Sequence, residues 1–131
     1  MNGIYVLFFY MPKNMELEIG ALGVMNFKKG HYAYVGSAQK GLESRLRRHT
    51  KKNKKIHWHI DHLSVHAWDF SAMAIHGPQE MECELASRLS PLGTEVRGFG
   101  CSDCRCSSHL FYLGKERNKA VRHCTGMEVV F

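Results

Sequence analysis

The chain has 131 residues, of which 44% are hydrophobic and only 3 are proline, so it can form one packed core and does not have the composition of a disordered protein. Its 18 lysines and arginines exceed its 12 acidic residues and give a formal net charge of +6, which favours an anionic partner such as nucleic acid. We therefore expect a single basic domain covering residues 1–131.

The N-terminal apolar segment argues against membrane insertion. Residues 4–11 end at Pro12, far short of the roughly 20 residues that a membrane span needs, and they lack the basic start and cleavage site of a secretory signal. The chain also has five cysteines, an odd number. We therefore expect a cytoplasmic protein without membrane association, whose thiols are free or bind metal.

The first half of the chain predicts strands followed by a helix. Segments rich in aromatic and β-branched residues, bounded by turn-forming residues, predict four strands. They are residues 3–10, 16–19, 24–27 and 31–36. Leu42 and Leu46 then recur at i and i+4, which predicts a helix over residues 41–52.

The second half predicts alternating helices and strands. We expect helices over residues 56–64 and 78–90, strands over 68–75 and 109–113, and a further helix within 115–123. The domain then divides into a core at residues 3–89, a Cys-rich loop and strand at 97–113, and a polar tail at 114–131.

Basic residues are concentrated on and after the first predicted helix. They are Arg45, Arg47, Arg48, Lys51, Lys52, Lys54 and Lys55, and the next acidic residue is Asp61. Such a cluster supplies the phosphate contacts of nucleic-acid binding, although a solvated basic face is the alternative. His57 follows the cluster directly, and we predict that it contacts phosphate.

Two helices carry candidate site residues. Arg45 and His49 are four positions apart and share one helical face, where they could address one phosphate together. On the later helix, Glu82 precedes Leu85 and Leu89 by three and seven positions, which turns its carboxylate toward the apolar face. An inward carboxylate needs compensation, and a cation is one way to provide it.

Two strand tyrosines complete the candidate site. Side chains alternate along a strand, so antiparallel pairing of the first strand with the strand at 31–36 could place Tyr5 and Tyr34 on the same face. A strand tyrosine is also an ordinary packing residue.

These residues match a known family pattern. Gly3-Ile4-Tyr5 and Tyr34-Val35-Gly36-Ser37 resemble the paired tripeptides of the GIY-YIG nucleases. The segment from Arg45 to His49 resembles their first-helix motif, and the segment from Glu82 to Ala86 resembles their acidic helix. The four motifs occur in the family's order.

The resemblance implies a fold and an activity. The fold would be of the α/β (α+β) class, with a small, three-stranded central antiparallel sheet flanked by helices and an inserted strand pair between the two tripeptide strands. The activity would be a metal-dependent endonuclease that hydrolyses phosphodiester bonds in nucleic acid. DNA is the expected substrate, in repair or recombination.

The resemblance also implies roles for the site residues. Glu82 would hold Mg²⁺ or Mn²⁺, and Arg45 would neutralise the transition-state phosphate. Tyr5 would act as general base if nearby cations lower its pKa. Tyr34 would position water or phosphate, and His49 would be a phosphate donor or an assisting base.

A narrower resemblance concerns possible partners. Residues 57–61 and 98–112 resemble a prokaryotic branch of the superfamily that has no assigned substrate and is sometimes fused to endonuclease III-type proteins. This resemblance implies a functional link to a DNA repair glycosylase.

A cysteine and histidine cluster lies outside these motifs. Cys101, Cys104, Cys106 and His109 offer zinc ligand types, which makes a structural Zn²⁺ one interpretation and buried or free thiols the other. Trp58, Trp68 and Phe70 are expected in the core.

Two other functional classes stay open. One is a nucleic-acid-binding module of the same fold without catalytic activity. The other is a zinc-stabilised interaction domain, supported by the cysteine cluster alone.

Overall fold

The computed structural model describes residues 2–100, 106–124 and 126–131. Strands, in chain order, are β1 (Gly3–Met11), β2 (Met15–Glu18), β3 (Val24–Phe27), β4 (Gly30–Ala38), β5 (Trp68–Ile75), β6 (Thr94–Glu95), β7 (Leu110–Gly114) and β8 (Glu128–Val129). Helices are α1 (Leu42–His49), α2 (His59–Ser64), α3 (Met81–Leu89) and α4 (Arg117–Arg122). Within the described ranges, no helix is long and apolar enough to cross a membrane.

The fold is a mixed α/β arrangement around one antiparallel sheet. Six strands pair in the order β6-β7-β4-β1-β5-β8. The expected three-stranded sheet was too narrow. Strands β6 and β8 have two residues each, too few for an alternating pattern to be recognised in the sequence.

Strand β1 lies at the centre of the sheet because both of its faces are apolar. Tyr5, Leu7 and Phe9 belong to one core cluster, whereas the neighbouring Val6 and Phe8 belong to the other. This alternation places a hydrophobic layer on each side of the strand.

The helices cover the two faces in pairs. Leu46 of α1 and Leu63 of α2 pack in the cluster that contains Tyr5. Leu85 of α3 and Ala120 of α4 pack in the cluster that contains Val6. The apolar stripe of each helix therefore faces the sheet, and truncating a buried leucine such as Leu46 would cost about 2–5 kcal/mol.

The expected second strand pair is present. Strands β2 and β3 form a separate two-stranded antiparallel sheet between β1 and β4. Phe27 is buried in the cluster of Tyr5, and Met15, Leu17 and Met25 pack against that cluster. The pair therefore extends the core on the face that α1 and α2 cover.

The segment after Gly114 packs against the core, although most of its residues are polar. Ala120 and Cys124 are buried, and Ala72 of β5 exchanges backbone hydrogen bonds with Val130 and Phe131. The prediction of a polar tail at residues 114–131 did not anticipate these contacts, because the few apolar residues of this segment are spread among charged ones. They cover the edge of β5.

Candidate functional site

One cleft brings together the main residues proposed from the sequence. Tyr5 of β1, Tyr34 of β4, Arg45 of α1 and Glu82 of α3 all line a cavity of about 240 Å³, together with His49. Residues that come from four elements of the fold therefore face one space.

The register of β1 and β4 places the two tyrosines on the same face. Tyr5 lies opposite Gly36 and Leu7 lies opposite Tyr34, so the tyrosines are diagonal neighbours, with ring centroids 6.4 Å apart. A Cβ on Gly36 would overlap the phenol ring of Tyr5. Glycine at position 36 therefore leaves the space that the Tyr5 side chain occupies.

Gly3 has an equivalent role on the neighbouring strand. A Cβ on Gly3 would overlap the backbone carbonyl of Ile75, so glycine allows β5 to approach the start of β1. The glycines of both tripeptides thus have packing reasons in this structure.

Tyr5 and His49 form a buried pair. The Tyr5 hydroxyl lies 2.9 Å from Nε2 of His49, and both residues are almost completely inaccessible to solvent. Burial raises the pKa of Tyr5 well above its usual value, and the neighbouring Tyr34 adds to the rise, which the charge of Arg45 only partly opposes. The charge of Arg45 alone therefore does not meet the condition that nearby cations lower this pKa, because burial dominates.

His49 is a neutral interior residue. Burial lowers its pKa to about 4, and the positive charges of Lys54, Arg48 and Arg45 contribute to the decrease. The imidazole is therefore neutral near pH 7. It is placed to exchange a proton with Tyr5.

Arg45 is held at the wall of the cleft by two contacts. Its Nη1 donates a hydrogen bond of 2.7 Å to the backbone carbonyl of Ser37, and its guanidinium lies 4.8 Å from the centre of the Trp58 ring. The guanidinium of Arg48 lies at the same distance from that ring. Trp58 is half-buried and lines the cleft. The prediction that it lies in the core is therefore only partly correct.

Glu82 turns inward, as the helix pattern predicted. Its side chain is 16% exposed, Oε2 accepts a hydrogen bond of 2.9 Å from the Ser37 hydroxyl, and Oε1 lies 3.0 Å from Nδ1 of His109. Glu84 instead forms an exposed ion pair with Arg88 at 2.7 Å. The two glutamates of one helix therefore have separate environments.

The predicted nucleic-acid-binding residues divide into surface and interior groups. Those with exposed side chains are Arg47, Lys51, Lys52, Lys55 and His57. Lys54 is different, because its side chain is only 4% exposed and its Nζ donates to Ser64 Oγ and to the His49 carbonyl. The structure therefore does not favour the predicted contact of Lys54 with nucleic acid, because its ammonium is engaged inside the protein.

Arg48 is also largely engaged within the protein. It donates hydrogen bonds of 2.9 and 3.1 Å to the two carboxylate oxygens of Asp61, which is completely buried. Burial alone would raise the pKa of Asp61, but hydrogen bonds from Arg48 and from the backbone of Trp58 and His57 lower it overall. Arg48 therefore joins α1 to α2 through Asp61, a structural role that does not depend on contact with phosphate.

The aromatic residues near the basic helix differ in exposure. Trp68 is 60% exposed, with Nζ of Lys52 lying 4.7 Å from the centre of a Trp68 ring. Placing Trp68 in the core was wrong because it begins β5, where the strand leaves the packed region. Phe70 packs against the core cluster of Tyr5, as expected.

The cysteine cluster differs from the expected one. Cys101 and Cys104 lie outside the described residues. Cys106 forms a disulfide with Cys83 of α3, with Cα atoms 6.0 Å apart, so neither cysteine is a free thiol in this structure. Cys83, Cys106 and His109 form a group that could bind a metal ion.

Several residues that line the cleft were not predicted as site residues from the sequence. Ser37, His59, Gln79 and Gly100 line it as well. Ser37 belongs to the second tripeptide segment, and its contact with Glu82 depends on the approach of α3 to the end of β4. His59 Nδ1 accepts a hydrogen bond of 3.1 Å from the Gly100 amide. Only the folded chain brings these pairs together.

Comparison with known proteins gives one match. A family model described as "Domain of unknown function DUF123" matches residues 4–129. No curated protein and no solved structure matches the chain.

Proposed function

This chain belongs to the DUF123 family of domains of unknown function, and we propose that it is a metal-dependent endonuclease of the GIY-YIG type that cleaves phosphodiester bonds in nucleic acid. The observation that carries the proposal is the meeting of Tyr5, Tyr34, Arg45 and Glu82 in one cleft. These residues provide a proton acceptor, a cation and a carboxylate for one phosphodiester.

Glu82 fits the role of metal ligand. Its carboxylate lines the cleft and keeps partial exposure, although it sits within the fold. Hard divalent cations prefer such oxygen ligands, so Mg²⁺ or Mn²⁺ is the expected ion. When bound, the ion would stabilise negative charge on the phosphate and on the leaving oxygen.

Tyr5 and His49 would act together in proton transfer. A phenol with a raised pKa is not ionised in the resting protein, so Tyr5 needs an acceptor for its own proton. His49 Nε2 lies 2.9 Å from the hydroxyl, and its imidazole is neutral near pH 7. Its pKa of about 4 also makes it a weak base, so its uptake of the Tyr5 proton would have to be concerted with attack of the water. The Tyr5 oxygen would take a proton from water as its own proton moves to His49.

Arg45 and Tyr34 would orient the phosphate. The guanidinium of Arg45 has a hydrogen bond to the Ser37 carbonyl and a stacking contact with Trp58, so little conformational freedom is lost when it meets a phosphate. Tyr34 lines the same cleft and would position water or phosphate.

The exposed basic residues support a nucleic-acid substrate. Arg47, Lys51 and Lys55 are exposed on and after the helix that carries Arg45, so phosphates beside the scissile bond could reach them. DNA in repair or recombination is the substrate class that the family resemblance favours. A link to a DNA repair glycosylase belongs to the same proposal.

Cleavage assays with matched variants test the proposal. Single-stranded, duplex, flap and junction DNAs, and RNA, would be incubated with Mg²⁺ or Mn²⁺. We expect Tyr5→Phe to lose roughly 10²- to 10⁴-fold in rate and Arg45→Ala roughly 10²- to 10³-fold, with Glu82→Ala inactive. Controls are Tyr10→Phe on the same strand, and Arg88→Ala and Glu84→Ala on α3.

Two results would contradict the proposal. Wild-type protein that binds DNA without cutting any substrate would leave the binding module as the better description. Equal cleavage by Glu82→Ala and Glu84→Ala would remove the metal assignment. Circular dichroism of each variant separates loss of activity from loss of folding.

A further inference from the structure

A second group of metal-ligand side chains lies beside the cleft. Cys83 is in the first turn of α3, whereas Cys106 and His109 precede β7. One potential ligand atom from each residue lies within 4.8 Å of the others. His109 is 2% exposed, and the two cysteines are half-buried. Residues distant in sequence therefore converge on one point of the fold.

We propose that Cys83, Cys106 and His109 bind a zinc-class divalent ion when both cysteines are reduced. Thiolate and imidazole are the ligands that zinc prefers, in contrast to the oxygen ligands of Mg²⁺. The site is therefore chemically distinct from the proposed one at Glu82.

The distances suit such an ion. Sγ of Cys83 lies 3.8 Å from Nε2 of His109. Ordinary zinc bond lengths and tetrahedral angles place neighbouring sulfur and nitrogen ligands about 3.6 Å apart. Only small side-chain movements would be needed at this pair. The two sulfur atoms, joined in the disulfide, would separate to take their places as ligands.

The disulfide and the metal ion use the same sulfur atoms. Binding therefore requires prior reduction of the Cys83–Cys106 bond by a thiol or phosphine reductant, with two electrons and two protons per disulfide. Each thiol then loses its proton when it coordinates the ion. Oxidised and metal-bound forms exclude one another.

The fourth coordination position can be filled by water. Cys83 and Cys106 line a cavity of about 280 Å³ together with Ser107 and Ser108. Three protein ligands and one water complete a tetrahedral zinc site.

His109 connects this site to Glu82. Its Nε2 faces Cys83, and its Nδ1 lies 3.0 Å from Oε1 of Glu82. A carboxylate against the outer nitrogen of a ligating histidine orients the ring and raises its basicity. The ion would in turn hold His109 in place against Glu82, so it positions the carboxylate of the cleft, an inference that rests on the proposed function.

Metal analysis of the reduced protein tests the site. After purification in a phosphine reductant and exchange into a zinc buffer, the wild type should hold one zinc per chain by mass spectrometry. Cobalt substitution should give thiolate-to-cobalt absorption. Cys83→Ser, Cys106→Ser and His109→Gln should each lose most of the bound metal, whereas Cys124→Ser and His66→Gln should retain it.

An alkylation experiment on the wild-type protein tests the same site without relying on variants that fail to fold. In the wild type, zinc should protect Cys83 and Cys106 from alkylation, and a chelator should remove that protection. Reduced wild type that takes up no zinc, or unchanged alkylation of both cysteines with zinc, would overturn the proposal. Metal retained by both cysteine variants would also overturn it.

The link to Glu82 has its own readout. Glu82→Ala should bind zinc about 10- to 100-fold more weakly than wild type, as expected for loss of a carboxylate that supports a ligating histidine. Unchanged zinc affinity would reject the link while the site stands. Because zinc content is measured without nucleic acid, a protein with zinc but no nuclease activity would reject the proposed function alone.

Discussion

The hydroxyl of Tyr5 and Nε2 of His49 lie 2.9 Å apart in the interior, and burial shifts their pKa values in opposite directions. Burial disfavours the charged form of each group, which is the phenolate for Tyr5 and the imidazolium for His49. Both groups are therefore neutral near pH 7. The neutral state of the buried His49 leads to a prediction about stability in acid.

Acidification should destabilise the protein through His49. Its pKa is about 4 in the folded chain and about 6.5 when unfolded, so between these values the unfolded state binds more protons. Keeping His49 neutral in the folded protein costs almost nothing above pH 6.5, and this cost in unfolding free energy grows as the pH falls toward 4. From pH 7 to pH 5 the contribution of His49 to the unfolding free energy should fall by about 2 kcal/mol.

Denaturant unfolding of a matched variant checks this prediction. His49→Gln keeps a polar side chain and removes the titration, so its unfolding free energy should change less between pH 7 and pH 5 than that of wild type. His66→Gln, at an exposed position, serves as the control and should behave like wild type. Identical pH dependence of the His49 variant and wild type would show that His49 is not a buried neutral group.

Local patterns predicted the elements but not the polar network between them. The stripe of Leu85 and Leu89 correctly turned Glu82 inward, because that relationship depends only on helical spacing. Lys54 looked like a surface residue among other basic residues. Its burial depends on Asp61 and Ser64 in the next helix, and no spacing rule specifies such contacts.

The candidate site could also be predicted only in part from the sequence. Tyr5, Tyr34, Arg45 and Glu82 could be selected from the sequence through motifs, and the structure brings them into one cleft. The Cys83–Cys106 pair could not, because no motif links Cys83 of α3 with Cys106 in the loop before β7. The catalytic roles of all these residues stay predictions.

Gly36 provides a test of the packing around Tyr5. Alanine in a strand normally stabilises by about 0.5–1 kcal/mol relative to glycine. Here a Cβ would overlap the Tyr5 ring, so Gly36→Ala should instead destabilise by about 1–3 kcal/mol, the usual cost of overpacking. Unfolding free energies from urea titrations measure the difference.

A double-mutant cycle identifies the cause of that destabilisation. If the clash with the Tyr5 ring is responsible, Gly36→Ala should cost much less in a Tyr5→Ala background, and the coupling should exceed about 0.5 kcal/mol. Equal costs in both backgrounds would place the strain elsewhere in β4.

Asp61 should be essential for stability. The carboxylate is fully buried and accepts two hydrogen bonds from Arg48. It also accepts hydrogen bonds from the backbone amides of His57 and Trp58, which precede α2. Asp61→Asn removes the charge that compensates Arg48 and the nearby Lys54, and should destabilise by about 3–5 kcal/mol. Thermal and urea unfolding would measure this.

An exposed ion pair supplies the control for Asp61. Glu84→Gln breaks the contact with Arg88, in which both side chains are more than half exposed, so its cost should lie between about 0 and 1 kcal/mol. Similar losses in the two variants would mean that the buried network around Asp61 contributes no more than a surface pair.

Salt dependence should separate the exposed lysines from the buried one, if the chain binds nucleic acid as proposed. Lys51 and Lys55 are exposed, so replacing either with alanine should weaken DNA binding at low salt and reduce the slope of log affinity against log salt by about 1. Lys54→Met removes the same charge from an interior position, where Nζ contacts Ser64 and the His49 carbonyl. Its folded fraction should therefore keep the wild-type slope, while its unfolding free energy decreases.

Titrations of labelled duplex DNA at several salt concentrations, with unfolding curves for each variant, give both quantities. An equal loss of slope in all three variants would mean that Lys54 contacts phosphate, contrary to the prediction from its burial. Unchanged slopes in the Lys51 and Lys55 variants would mean that DNA binds to a surface other than this helix.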